Sequence, residues 1–230
     1  MFKKISAVIL TVMCLFSLIP MSVAAADSGN SPYGPGYGTI LTIGSIEQDG
    51  IYSNGKEPIR WMILEKRGNK ALIVSKKILE FLPYNNTCQN VTWETCSLRK
   101  WLNNDFYNTA FSDREKKAIQ ATTVQAEDSP WFEVRGGRNT TDKVFLLSSD
   151  EAYNYYVTDA ERIAEMTQYV YDQMSDGNEY CYWWWVRTPG ETGSKAVCIN
   201  PDGSYNVNGD NVDFDTGVRP AMWVDLTKLS

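Results

Sequence analysis

Three textures divide the chain. Ile5 to Ile19 is a mostly apolar run of fifteen residues, entered from Lys3 and Lys4 and closed by Pro20. From Thr39 to about Asn178, short apolar stretches are interleaved with helical spacing. Ile40 to Ile46 and Ile59 to Leu64 alternate or run apolar, as strands do, with Asn54-Gly55 as a turn between them. Ala71 to Val74 and Val144 to Leu147 are apolar runs of strand length. Lys76 to Leu82 is expected to form a short helix stopped by Pro83. A clearer helix starts at Ser97, where Leu98, Trp101, Leu102 and Phe106 fall on one face. Ser112 with Glu115, and Ser148 with Glu151, have the spacing of capping boxes. Thr158 with Glu161 opens a further helix whose stripe is Ile163, Thr167, Val170, Tyr171 and Met174, ending near Gly177.

After Asn178 the helical period vanishes. Pro189-Gly190, Asp202-Gly203, Asn208-Gly209 and Thr216-Gly217 read as turns. Between them, Ala196 to Asn200, Tyr205 to Val207 and Val218 to Leu226 read as an antiparallel meander. The expected class is α+β, with early helices packed on a small antiparallel sheet and a hairpin-rich C-terminal half. Residues 28–38 contain eight Gly, Pro or Ser in eleven, so residues 27–38 read as a flexible lead-in. Residues 39–230 then form a single domain.

The first run has the anatomy of an export signal: a basic start, an apolar centre and small residues around Ala24-Ala25-Ala26. It is shorter than the ~20 residues that a spanning helix needs. Residues 1–26 are therefore expected to be cleaved after Ala26 rather than kept as an anchor. The mature protein is then secreted or at the cell surface, with no membrane insertion. Loss of Lys3 and Lys4 takes the basic residues from 22 to 20 against 28 acids, a net of −8. Such a surface repels phosphate backbones, so no nucleic-acid partner is expected.

The sequence contains no histidine. Ser-His-Asp and Cys-His catalysis and His-ligated metals are thereby excluded. An enzyme would have to use carboxylates, for example on a cell-envelope glycan, and no spacing singles out a pair. Past the leader stand Cys88, Cys96, Cys181 and Cys198. An even count in an exported chain favours disulfides, and three connectivities are possible. The local pairs Cys88–Cys96 and Cys181–Cys198 are expected, worth about 2.6 and about 3.2 kcal/mol by loop entropy. A four-thiolate metal site would want Cys-x-x-Cys pairs, which are absent.

Four ordered motifs stand out: Thr92-Trp93-Glu94-Thr95-Cys96-Ser97-Leu98-Arg99-Lys100-Trp101-Leu102-Asn103, Asp142 to Ser148, Trp183 to Gly190, and Gly217 to Trp223. In this order they resemble a bacterial domain family of unknown function, numbered 6273, common in exported and cell-surface proteins of Gram-positive gut bacteria. That family in turn resembles the C-type-lectin-like fold group, which includes sulfatase-modifying-factor domains and the variable proteins of diversity-generating retroelements. The resemblance implies a fold and a display surface, not an activity. Nothing here matches the copper-binding thiol pair of the sulfatase activators. The segment Asn200 to Asp215 sits where the variable proteins display their binding residues.

The candidate residues follow from these patterns. Trp183, Trp184 and Trp185 alternate across a strand, so either both faces are covered or an indole is exposed for stacking. The expected ligand surface is Trp184, Tyr205, Asn206, Asn208, Asp210, Asn211 and Asp213, touching an extracellular glycan, peptide or protein. Trp183, Trp185 and the four cysteines are expected to be structural. Arg187 and Arg219 read as an anion clamp or, preferably, as internal ion pairs fixing the sheet. Asp202, Asp210, Asp213 and Asp215 with neighbouring asparagines could hold calcium, although tight turns need the same residues. No cofactor is otherwise expected. The function expected is a non-enzymatic recognition module, with a structural surface module as a further alternative.

Overall fold

The fold comes from a computed structural model describing residues 36–174 and 183–229. The leader, most of the lead-in, Gly177 and Cys181 lie outside the described residues. The described elements are β1 (Ile40–Ile46), β2 (Glu57–Arg67), β3 (Lys70–Ser75), β4 (Glu80–Pro83), α1 (Ser97–Trp101), a π-helical turn (Leu102–Phe106) and α2 (Tyr107–Ala110). They continue with α3 (Asp113–Lys116), β5 (Thr122–Val124), β6 (Thr140–Asp142), α4 (Ser149–Tyr155), α5 (Asp159–Arg162) and α6 (Gln168–Gln173). The last stretch holds β7 (Trp184–Pro189), β8 (Lys195–Ile199), β9 (Tyr205–Asn211), β10 (Asp215–Val218) and β11 (Ala221–Asp225).

The class is α+β. One sheet has the order β1-β2-β3-β11, a second β4-β10-β7-β8-β9, and β5-β6 is a separate ribbon. The final strand thus returns to the sheet that the first three begin, with Trp223 opposite Leu72 on β3. β3 is buried from Ala71 to Ser75, which is why it reads as an unbroken apolar run. The capping boxes at Ser112–Glu115 and Ser148–Glu151 form as their spacing implies. Tyr37, at the end of the expected lead-in, donates its hydroxyl to Tyr155 O.

Four local expectations are corrected. Lys76 to Leu82 is not a helix. Ile78 and Leu79 are both buried, and the segment runs into β4, which pairs with β10. Two consecutive buried positions suit an extended chain lying between other elements, and Ile78 bridges Met166 on one side. The stripe after Thr158 is not one helix either. It breaks at Ile163, where ψ is 132°, and restarts at α6 with Thr167 as cap. The break leaves Met166 extended to meet Ile78. Val144 to Leu147 makes a single bridge, Phe145 with Ala221, rather than a strand.

The late meander is the fourth correction. Asn208-Gly209 lies inside β9 as a bulge against β8, with Gly209 at φ +74°, where a Cβ would come within 2.5 Å of Ala196 O. Thr216-Gly217 lies inside β10, which runs antiparallel to β4 and parallel to β7. Gly217 is needed there for contact rather than for a turn. Its N–H donates to Trp183 O, and a Cβ would come within 2.3 Å of that oxygen.

The expected Cys88–Cys96 bridge is also absent. Cys96 precedes α1 with its thiol in the core, donating to Trp93 O at 3.4 Å, while Cys88 is an exposed free thiol. Cys198 is a buried free thiol facing Asp210 Oδ2 at 3.3 Å, and its expected partner Cys181 is outside the described residues.

Candidate functional site

The late residues expected to form one ligand surface are not brought together. β7 lies between β10 and β8 with every residue buried, so Trp184 and Trp185 are core on opposite faces. Trp184 is 0% exposed and donates its indole N–H to Arg162 O, which removes it from any recognition surface. Trp185 donates to Leu82 O, and half-buried Trp183 donates to Asn200 Oδ1. Alternation along β9 separates the rest. Tyr205 lies with Ser149, Trp131 and Arg162, whereas Asn206 and Asp210 lie beside the Cys198 thiol. Burial, with Asp210 adding its charge, pushes that thiol well above its ordinary pKa. Asn211 pairs with Lys195, Asp213 is exposed near Cys88, and Asn208 is exposed.

The late aspartates do not converge on a calcium-like site among the described residues. The carboxylates that do converge are Glu47, Asp49 and Glu57. They are occupied in closing the β1–β2 loop: Glu47 accepts from Gly50 N–H, Asp49 from Ile51 N–H and Glu57 from Gln48 N–H.

The two arginines differ. Arg187 is an internal ion pair with Glu151, also donating to Leu146 O and Gln125 O. Arg219 is 3% exposed and has no ion-pair partner among the described residues, contrary to expectation. Its guanidinium lies 5.0 Å over the Trp184 ring and 5.4 Å over Tyr156, and Nε donates to Ser75 O. Two aromatic faces replace the carboxylate there.

A concavity with an aromatic wall lies elsewhere. β4, the loop after it, α1 and the π-helical turn enclose an open cleft of about 330 Å³. Its apolar wall is Leu82, Pro83, Leu98 and the half-buried Trp101, which packs at 5.4 Å against Phe106. The loop is fixed by Asn85, whose Oδ1 accepts the Ser97 N–H at the start of α1. Next to it, Ser97 and Asn86 bond each other twice: Asn86 N–H donates to Ser97 Oγ, and the Ser97 hydroxyl donates to Asn86 Oδ1. Lys100 and Asn104, and Trp101 and Asp105, are each four residues apart and so share the helix face that borders the cleft. Asn104 Nδ2 donates back to Lys100 O. A π-helical turn of this kind is a local departure that is frequent at functional sites.

The polar groups of this cleft have unused capacity. Asn86 Nδ2, Lys100 Nζ, Trp101 Nε1, Asn104 Oδ1 and the Asp105 carboxylate make no hydrogen bond or ion pair among the described residues. Nearby groups of the same kinds are consumed. Arg99 holds Asp142, Arg138 holds Glu94, and Trp93 donates to Asp142. Two other indole N–H groups make no hydrogen bond among the described residues: that of Trp131, 42% exposed against Tyr205, and that of Trp223, whose face is covered by Arg67. The β9–β10 turn stands beside the cleft, since Asp215 pairs with Pro83 and Asn85 N–H donates to Val212 O.

Sequence reasoning placed Trp101 on an apolar helix face and did not select it as a site residue. The available signal was the i, i+4 pairs Lys100/Asn104 and Trp101/Asp105, which set that indole at the edge of the apolar stripe rather than in its middle.

These features define a mixed α+β domain with a polar, aromatic-walled surface cleft. The chain belongs to the family described as "Domain of unknown function (DUF6273)", whose model matches residues 68–226 and so takes in the whole cleft. No curated protein and no solved structure matches the chain.

Proposed function

We propose that this chain is an exported recognition module, without catalytic activity, whose ligand enters the cleft between β4 and the α1–π-turn helix. The observation that carries the proposal is the set of unused donors and acceptors around Trp101. Asn86, Lys100, Asn104 and Asp105 stand exposed around the half-buried Trp101, so each can exchange its water for a ligand group that answers it beside the apolar wall. An enzymatic reading finds less support there. Asp105 is the one carboxylate lining the cleft, whereas glycoside cleavage uses two. The Ser97 hydroxyl is bonded to Asn86, not to a base that could activate it.

Export is part of the same reading, supported by the basic-apolar-small order of residues 3–26. So is a C-type-lectin-like fold related to the sulfatase-modifying-factor group, favoured by the return of β11 beside β3. The test is a fragment-mixture titration of the full chain followed by ¹H–¹⁵N spectra. Shifts grouped on Asn86, Trp101 and Asn104 are expected. Ligands that map consistently elsewhere, or turnover of any glycan or peptide substrate, would overturn the proposal. Export is checked separately by sequencing the N-terminus of the chain recovered from the medium or envelope, where Asp27 is expected first.

A further inference from the structure

We infer that the ligand of the Trp101 cleft is a neutral carbohydrate ring. It stacks on the indole and is hydrogen-bonded by Asn86, Lys100, Asn104 and Asp105. The inference rests on the recognition reading above and goes beyond it in naming the ligand class.

Charge is the first discriminator. The cleft is lined by one cation, Lys100, and one anion, Asp105, and neither is ion-paired among the described residues. Their formal charges cancel, so the site offers no net attraction to a phosphate, a carboxylate or a cationic ligand. Each instead supplies a strong, directional hydrogen bond to a neutral polar group.

The hydrogen-bonding inventory is the second. The unused donors are Asn86 Nδ2, Lys100 Nζ and Trp101 Nε1, and the unused acceptors are Asn104 Oδ1 and the Asp105 carboxylate. A hydroxyl both donates and accepts, so a ring carrying several can answer this mixture without leaving a group unpaired. A purely apolar ligand would bury all five with no partner, at a cost that the wall of Leu82, Pro83 and Leu98 would not offset. The indole face of Trp101 complements the C–H face of such a ring.

The third discriminator is the backbone. A peptide would most readily bind by adding a strand to β4, which is the edge of the five-stranded sheet. That edge is interrupted at the cleft: Leu82 O accepts the Trp185 indole, Pro83 has no N–H, and Tyr84 O accepts Leu98 N–H. A cleft of about 330 Å³ is at the small end of ligand pockets, the size for one or two rings rather than an extended chain. The other two indoles with an unused N–H lack this setting. The guanidinium of Arg67 sits on the face of Trp223, and Tyr205 beside Trp131 has already given its hydroxyl to Ser149 O.

The test is an indole ¹H–¹⁵N titration of the full chain. The probes are glucose, galactose, mannose, N-acetylglucosamine and their β-linked dimers, with trialanine and inorganic phosphate as contrasting ligands. At least one saccharide is expected to shift the Trp101 indole to saturation while trialanine and phosphate leave it unmoved. Trp101→Ala is expected to weaken that binding about tenfold, as loss of an aromatic face does. Because Trp101 also packs on Phe106, Asp105→Asn and Asn104→Ala serve as exposed second variants. Each is expected to weaken binding about three- to tenfold with an unchanged melting temperature. If trialanine or phosphate shifts Trp101 and no saccharide does, the ligand class is wrong and the recognition reading stands. If no probe moves Trp101, and the fragment titration likewise leaves the cleft unmoved, both fall. Saccharide shifts confined to Trp131 or Trp223 also overturn the inference.

Discussion

Arg99 reaches Asp142 through two guanidinium nitrogens, with Nε and Nη2 each 2.7 Å from the same carboxylate oxygen, Oδ1. The other oxygen, Oδ2, accepts the Trp93 indole at 2.9 Å and the Thr140 hydroxyl at 2.7 Å. The Asp142 side chain is fully buried, so one carboxylate ties the start of α1, the end of β6 and the tryptophan of the Thr92-Trp93-Glu94 motif. Asp142→Ala would leave the Arg99 guanidinium and the Trp93 indole without their acceptor. The expected loss is about 3–5 kcal/mol, the range for removing one partner of a buried ion pair. Urea unfolding measures it, and a loss under 1 kcal/mol would show that Arg99 finds another partner at little cost.

This relationship also shows what a sequence can and cannot disclose. The four motifs are legible because each contributes a concentrated run of large buried or paired residues. β3, the Ser112 and Ser148 caps and the face of Leu98, Leu102 and Phe106 are local facts, written in spacing. What was not legible depends on contacts distant in the chain. β4 is a strand because β10, some 135 residues later, pairs with it. Gly217 looks like a turn glycine, yet what requires it is the approach of Trp183 O. The cleft was missed for the same reason: Trp101 has unused capacity only because Leu82, Pro83 and the Asn86 loop stop short of covering it.

The cysteines give a sharper prediction, because export and an even count favoured bridges. Cys88 is exposed, whereas Cys96 and Cys198 are buried. Burial lifts the Cys96 thiol to about 12 and pushes the Cys198 thiol up further. Since the thiolate is the reactive form, both should resist alkylation in the native state. Of these three, Cys88 alone is expected to be modified by iodoacetamide before denaturant is added. Peptide mapping of the alkylated chain reads the pattern, and a peptide linking Cys88 to Cys96 would contradict it.

The three consecutive tryptophans should differ in what they contribute. Trp184 is fully enclosed and supports the Arg219 guanidinium on its ring. Trp184→Ala is expected to cost about 3–5 kcal/mol in urea unfolding, as removal of a large core aromatic does. Trp183 is half-buried with a single bond to Asn200, so Trp183→Ala should cost less than half as much. Equal losses at the two positions would refute the placement of Trp183 at the edge of the core.

Glu80 supplies a dependence on pH. It is half-buried on β4, and desolvation lifts its carboxyl from an ordinary value of 4.5 to about 7, opposed only by the Phe81 N–H. Tyr169, on α6, shares this environment, and burial together with the Glu80 charge pushes its hydroxyl up to about 12, outside the range in question. The folded state therefore binds a proton at Glu80 more tightly than the unfolded chain does. That stabilisation is complete below about pH 4.5, declines as pH rises, and is gone above about pH 7. At one pKa unit per 1.36 kcal/mol, the whole effect is at most about 3.4 kcal/mol, reduced by the residual exposure of the side chain. Urea unfolding at pH 5 and pH 8 should show the wild-type chain weaker at pH 8. Glu80→Gln keeps the shape without the titration, so it should remove most of the difference. If both proteins lose the same stability between these pH values, the slope belongs to other carboxylates and the burial of Glu80 carries no such cost.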